Sequence, residues 1–377
     1  MAQTFGALHK LPKECPTCGA FLTLGNGLMA VGWGIPDWRA EPGVSPVFYA
    51  PDFLLDAKLP FLQFPEWAVL PSPILRELWS STAREGSVGA AVDAVVDAPL
   101  DRRAKNVAAW RWREPHRGLF AQTFAEIQGH LKTGFLQKAV PVVFAECAQP
   151  TWPGWIQQVV GDLLAVGADS SIYGYWTAER GLLGATPELL FHQDIRNYQL
   201  QTMALAGTRT QGQGSDEEFL VDDKEMAEHG WVVRGLHERL ADLGQLVCES
   251  TRVIQVGRLR HLMTPMRVEN LADLDFLDLV RRLHPTPALG AYPLAAAQVW
   301  LRQQPRRGHF GAPFAFLYPG EYAHCVVAIR NIQWADGLVR LGSGCGIVQG
   351  SDLDREWQEL AQKRQAVREN MHLKTMA

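Results

Sequence analysis

The chain has 377 residues, 47% of them hydrophobic, and a formal net charge of −4 with both signs mixed along its length. That is enough apolar material for a large buried core, and it excludes a basic nucleic-acid-binding block and an acidic disordered tail. Six scattered cysteines read as reduced thiols of a cytoplasmic protein, and the thirteen tryptophans as core or pocket walls. The opening MAQTFGALHKLPKECPTC holds no apolar run and is not read as a secretory leader.

Residues 1–80, rich in Gly, Pro and Trp, read as strands and turns. Within them, 19–36 is uncharged but broken by Gly, Asn and Thr. It reads as strand–turn–strand around Gly25-Asn26-Gly27, not as a membrane span. Cys15-Pro-Thr-Cys18 has the spacing of half a zinc site, but no second pair follows; two ordinary thiols in a turn are expected. Residues 82–108 alternate small apolar and charged residues and carry no recognisable chemistry. Residues 1–110 are expected to be a strand-rich part of the same domain as residues 111–377.

Phe120, Phe124, Ile127 and Leu131 mark an amphipathic helix closed by Gly134. Residues 138–144 (KAVPVVF) read as a buried strand with Lys138 at its mouth, and Pro141 argues for an edge or a bulge. A lysine there either snorkels to solvent or is desolvated and available as a base. Residues 171–192 read as two strands joined at Arg180-Gly181, with Glu188 directly after Thr186-Pro187. Residues 198–208 read as a strand ending in a glycine turn.

Residues 216–245 predict helix, with Glu225 and Glu228 three apart on one face. A strand region at 252–264, a helix at 272–283, the rigid turn His284-Pro-Thr-Pro-Ala-Leu-Gly-Ala-Tyr-Pro293 and a helix at 294–302 follow. Strands are expected at 312–318 and 323–334, with Arg330 near the end of the second. Residues 342–363 then read as a glycine-rich turn feeding a helix. Gly342, Gly344 and Gly346 would leave backbone N–H groups at the helix entrance, a place to hold an anion. Ser351 with Asp354 fits a cap, and Glu356, Glu359 and Lys363 share one face.

The two Glu-x-x-Glu faces suggest four carboxylates around one cavity. Such a cluster repels itself unless a cation holds it, and all-oxygen ligands suit Mg²⁺. Read from the residues alone, they could equally be separate solvated faces. No Rossmann fingerprint, P-loop, GxSxG or HExxH is present. The strand-rich order with late helices favours an α+β fold with large antiparallel sheets.

ATPELL, ALAGT, KEMAEH, LRHLMTP, LHPTPALGAYP, RGHFG, AIRN and GSGCGIV with EWQELAQK occur in one order. This set closely resembles the chorismate-utilising enzymes: anthranilate synthase large subunits, aminodeoxychorismate synthases, isochorismate synthases and salicylate synthases. The resemblance covers about residues 118–370. It implies one large α+β domain, with two big antiparallel sheets packed face to face and helices outside. It implies Glu228 and Glu359 as Mg²⁺ ligands, with Glu225 and Glu356 as supporting carboxylates and the ion on the ring carboxylate of chorismate. Arg330 matches the residue that grips the pyruvyl carboxylate. The Gly344–Gly346 backbone and Lys363 match further carboxylate contacts. Ala206, Gly207, Thr208, His284 and Thr286 match ring-side positions.

Family members that use water carry a lysine about fifty positions before the Pro-Glu glutamate; here 188 − 138 = 50. The lysine nucleophile of aminodeoxychorismate synthases is replaced by Ala206, and no amidotransferase domain or subunit is expected. The resemblance therefore implies an isochorismate synthase, an isomerase in which Lys138 is the base and Glu188 the acid. Chorismate is the expected partner, in a monomer or homodimer, with no nucleic acid or membrane. Its product would feed menaquinone, siderophore or salicylate synthesis. The alternatives are a salicylate synthase, which goes on to eliminate pyruvate, and a weakly active chorismate-binding subunit. Val143 in place of a usual arginine, Pro141 within the strand, LRQQP before RG and Ala291 after Gly290 depart from the family pattern.

Overall fold

The structure, a computed structural model, describes residues 5–85, 110–167 and 169–373. Two large antiparallel sheets lie face to face. The first has nine strands in the order 5–6, 66–71, 28–33, 19–25, 171–176, 181–186, 331–335, 338–344, 142–148. The second has ten, along the path 245–248, 259–269, 199–210, 189–194, 322–327, 313–318, 47–49, 61–63, 37–39, with 252–256 pairing 259–269. A third, small sheet of three strands joins Ala291–Tyr292, Lys138–Ala139 and Ile347–Val348. The fold is thus α+β, a single large domain with two sheets at its centre and helices on its outer faces.

Three apolar clusters follow from that layering. Leu22, Phe48, Tyr173 and Phe314 fill the space between the sheets. Phe21, Val159, Leu163, Leu183 and Trp334 join the outer face of the first sheet to the helix Trp155–Leu164. Phe191, Val232, Leu236, Leu279 and Leu360 join the second sheet to the helices Asp223–Leu240, Phe276–Leu283 and Leu353–Asn370. A strand covered on both faces needs no polar side, which is why Gly181–Thr186 is buried at every position.

Several expectations need revision. Strands 19–25 and 28–33 do flank the Gly25-Asn26-Gly27 turn, whose three residues all have positive φ. Ser72–Glu85, however, is a helix with Pro73 in its first turn, where a missing N–H costs nothing. Residues 86–109, most of the small-and-charged stretch, lie outside the described residues. The 171–192 region makes three strands, 171–176, 181–186 and 189–194. The run 138–144 is two strands in different sheets, parted at Pro141, which has no N–H for a ladder. The strand expected at 323–334 is likewise two, Tyr322–Val327 in the second sheet and Asn331–Ala335 in the first.

Candidate active site

The pocket forms where the chain passes between sheets. It crosses from first to second between Thr186 and Leu189, and returns between Val327 and Asn331. Glu188 lies in one crossing and Arg330 in the other. The crossings are stitched together by Val327 N–H to Glu188 O (3.0 Å) and Ala185 N–H to Arg330 O (3.2 Å). Arg330 takes a left-handed φ of 55°, which breaks the strand and turns it out of the sheet. Sequence periodicity could not show this, because both flanking runs look like one strand.

The pocket is partly open to solvent and is walled by Glu188, Ala206, Gly207, Thr208, Glu228, His261, Arg330, Gly344, Gly346 and Lys363, with Val140, Leu205, Phe310 and Ile329 as apolar sides. Gly207 (φ 76°) makes a bulge in the strand Gln199–Thr210, where pairing with the next strand shifts between Ala206 and Thr208. The bulge turns the Thr208 N–H onto Glu225 Oε2 at 3.1 Å.

Lys138 is fully buried and is not in the pocket wall. It sits behind Gly346, and its Nζ donates to Glu228 Oε1 at 3.0 Å. The small sheet holds it there, between Tyr292 and Val348. Gly346 is the gap between lysine and pocket: a Cβ at that position would overlap Glu228 Oε1 and stand 2.9 Å from Lys138 Cε. Gly346→Ala should therefore destabilise the fold by about 1–3 kcal/mol and disrupt the Lys138–Glu228 pair; thermal unfolding and turnover of the variant check this, and wild-type values for both would refute it.

The glycines do not stand at a helix entrance. Gly342 and Gly344 belong to the strand Leu338–Gly344, and the helix begins at Leu353. Its cap is Asp352, which accepts from Asp354 N–H and Arg355 N–H, while the Ser351 hydroxyl accepts from Val348 N–H. The glycines are needed for close approach instead: a Cβ at Gly342 would overlap the Phe310 ring. His284 and Thr286 are also displaced from their expected ring-side places. His284 bonds the Phe53 carbonyl at 2.7 Å and takes no part in the wall. Thr286 is buried beside Glu188, and its hydroxyl, near the carboxyl but outside strict hydrogen-bond geometry, draws Glu188 weakly toward its charged form.

Burial pushes the Glu188 carboxyl up to about 8, against the opposing pull of Lys138 and Lys363. A carboxyl so placed holds a proton at neutral pH. Glu228 goes the other way: burial would raise it, but Lys138 and Lys224 bring it down to about 2.

The Glu-x-x-Glu faces of the helices Asp223–Leu240 and Leu353–Asn370 do meet. Glu225 Oε1, Glu228 Oε2 and Glu356 Oε1 lie 3.2, 3.1 and 3.2 Å from the Nζ of Lys224. Glu359 pairs with Lys363 at 2.6 Å, and Lys363 also donates to Gly344 O at 2.8 Å. Among the described residues, no three His, Cys, Asp or Glu side chains already stand as a metal-binding group; ammonium groups separate the carboxylates. The donors still fit a hard divalent ion, being all oxygen. The buried Glu356 Oε2 has no partner within hydrogen-bond geometry, although Ser351 is close enough to draw the carboxyl weakly toward its charged form. Burial and the neighbouring charges, Glu228 for Glu225 and Glu359 for Glu356, push Glu225 and Glu356 up to about 7, which marks unmet negative charge.

Two participants escaped sequence reading. His261 lines the pocket, and its Nδ1 faces Gly207 O at 3.0 Å. That contact fixes Nδ1 as the protonated nitrogen and leaves Nε2 to accept from Arg330 Nη2 at 3.3 Å. Burial, then Arg330 and Lys363, lower its pKa to about 3, so it stays neutral and steers the guanidinium. Lys224 is the other. Both residues lie inside the quoted motifs LRHLMTP and KEMAEH, but their spacing gave no sign of which cavity they would face.

The pocket between the two sheets thus brings a carboxylate cluster, a buried lysine and a buried acid close to Arg330 and Lys363. The family model described as chorismate binding enzyme matches residues 89–372, and the chain belongs to that family. A Pseudomonas aeruginosa relative named salicylate biosynthesis isochorismate synthase is 33% identical over 223 residues, 56% of this chain and 46% of the relative. An isochorismate synthase of Bacillus subtilis is 29% identical over 217 residues, 55% of this chain and 46% of its own. The chain spans about half the length of the curated relatives it matches. The solved menaquinone-specific isochorismate synthase of Escherichia coli shares the fold, with a TM-score of 0.73 at 18% identity over 98% of this chain and 94% of that one. No helix among the described residues is long and apolar enough to cross a membrane.

Proposed function

We propose that the protein is a Mg²⁺-dependent isochorismate synthase, converting chorismate reversibly into isochorismate. The observation that carries this reading is the pair Lys138 and Glu188: a buried lysine one glycine behind the pocket and a carboxyl raised to about 8 in its wall. Lys138, acting in its neutral form rather than as the ammonium paired with Glu228, would take the proton of a water attacking ring carbon C2. Glu188 would protonate the C4 hydroxyl, which leaves as water while the ring double bonds shift, so atoms balance and the net reaction is an isomerisation. Ala206 in the wall offers no nucleophile to capture the ring, which favours water over a covalent route.

Arg330, held by His261, would grip the pyruvyl carboxylate with its planar fork. Glu228 and Glu359 would hold Mg²⁺ with Glu225 and Glu356 behind them, and the ion would neutralise the ring carboxylate of the bound substrate. Lys363, on the Gly344 carbonyl, would add a donor at the same end.

The test is purified protein with chorismate and Mg²⁺, with products separated by chromatography. Isochorismate is expected without pyruvate. EDTA should abolish its formation and added Mg²⁺ restore it. Release of salicylate and pyruvate would replace this reading by salicylate synthesis, and chorismate binding without any product by a non-catalytic role.

A further inference from the structure

We propose that Lys224 is a tethered cation that holds the carboxylate cluster together until a divalent ion displaces it. The inference rests on the Mg²⁺ reading above and adds a competitor to it. The Lys224 ammonium donates to Glu225 Oε1 and Glu228 Oε2 and forms an ion pair with Glu356 Oε1, so it meets three carboxylates from two helices at 3.1–3.2 Å. It does so from the first turn of the helix Asp223–Leu240, where the helix dipole disfavours a positive charge. The carboxylates, not the helix, draw it there.

The ion and the ammonium cannot share the position. Mg²⁺ requires oxygens at about 2.0–2.1 Å, so Glu228 Oε2 would have to leave hydrogen-bond distance from Lys224 and close on the ion, with Glu356 released from Lys224 to support the ligands from behind. Glu228 can make that change without losing its other partner, because Oε1 is held separately by Lys138. Glu356 supplies the second, independent sign that the ammonium is an imperfect occupant. The residue is 2% exposed, yet its Oε2 has no partner within hydrogen-bond geometry, and a buried carboxylate oxygen left unbonded is costly. One ammonium satisfies part of this cluster; an ion with six coordination positions can satisfy the rest.

Lys224 also has somewhere to go. Its side chain is 24% exposed, and it lines an outer groove together with Asp222, Glu225, Asp352, Glu356 and Glu359. Rotating its flexible stem outward keeps the ammonium among carboxylates while vacating the cluster. The groove and the inner pocket adjoin at Thr208, which lines both. Exchange of a single charge for a double one then leaves the inner site more positive, which suits a dianionic substrate.

The experiment is Mg²⁺ titration by calorimetry on the wild type and on Lys224→Met, with thermal unfolding of each with and without the ion. Removing the competitor should tighten Mg²⁺ binding about tenfold or more, and lower the melting temperature of the metal-free protein while leaving the Mg²⁺-loaded one near the wild type. In the wild type, which needs no variant to fold, labelling of Lys224 by an amine reagent, read by mass spectrometry, should rise several-fold on adding Mg²⁺. Wild-type protein that binds no Mg²⁺ would overturn the metal reading itself. Wild-type protein that binds Mg²⁺, with either Lys224→Met affinity no tighter or Lys224 labelling unmoved, would overturn this inference alone.

Discussion

Lys138→Gln is expected to lower isochorismate formation by about 10²–10⁴-fold, the range for loss of a positioned general base, with chorismate affinity changed far less. Glutamine is the informative replacement because Lys138 is fully buried against Glu228. Lys138→Ala would leave that carboxylate facing a void, and breaking a buried pair from one side costs about 3–5 kcal/mol. Loss of activity in the alanine variant would then mix lost chemistry with a disturbed metal ligand. An amide can still donate to Glu228 Oε1 but cannot accept the proton of a water. The measurement is steady-state kinetics beside calorimetric binding of Mg²⁺ and chorismate. A glutamine variant with more than a tenth of wild-type turnover would remove Lys138 from the mechanism.

The second large effect belongs to Glu188. Its carboxyl is raised from 4.5 to about 8 by burial, so it holds its proton through neutral pH and gives it up as pH rises through that value. Wild-type turnover should therefore fall on the alkaline side with a midpoint near 8. Glu188→Gln keeps the shape and neutrality of the protonated acid but has no acidic proton to give, and should lose about 10²–10⁴-fold in turnover. The residual rate should show no alkaline step near pH 8. Should the variant keep the same alkaline step, another group titrates there and Glu188 is not the acid. A reversible isomerisation, as proposed, passes through one transition state in both directions, so the same variant should be equally impaired with isochorismate as substrate.

The sequence was most legible where chemistry is carried by residue type and order. KEMAEH and EWQELAQK contain the four carboxylates, and the structure does bring both helices to one place. The separation of fifty between Lys138 and Glu188 was a matter of counting; in the structure Glu188 lines the pocket, while Lys138 lies behind Gly346, close enough to pull on the Glu188 carboxyl. It was least legible where a strand changes sheets. Pro141 and Arg330 each interrupt a run whose apolar pattern is continuous, and strand periodicity says nothing about which sheet a residue joins. The glycines of GSGCGIV show a related limit. Their number suggested a donor nest at a helix start, whereas they lie before it and are needed because Phe310, Glu228 and Lys138 come too close for a Cβ.

By itself, the sequence determined the α+β class, the family and the chemical groups on offer, because each depends on composition, local pattern or motif order. Tertiary structure alone decided which of those groups meet. His284 and Thr286, inside a motif, fell behind the wall, and His261 came into it. Lys224, which no spacing rule singled out, ended between the carboxylates expected to await a metal. The physical reason is that burial, electrostatic balance and contact between residues far apart in the chain are set by packing of the two sheets and their helices. A charge on a helix face is solvated or buried only once the opposing face is in place.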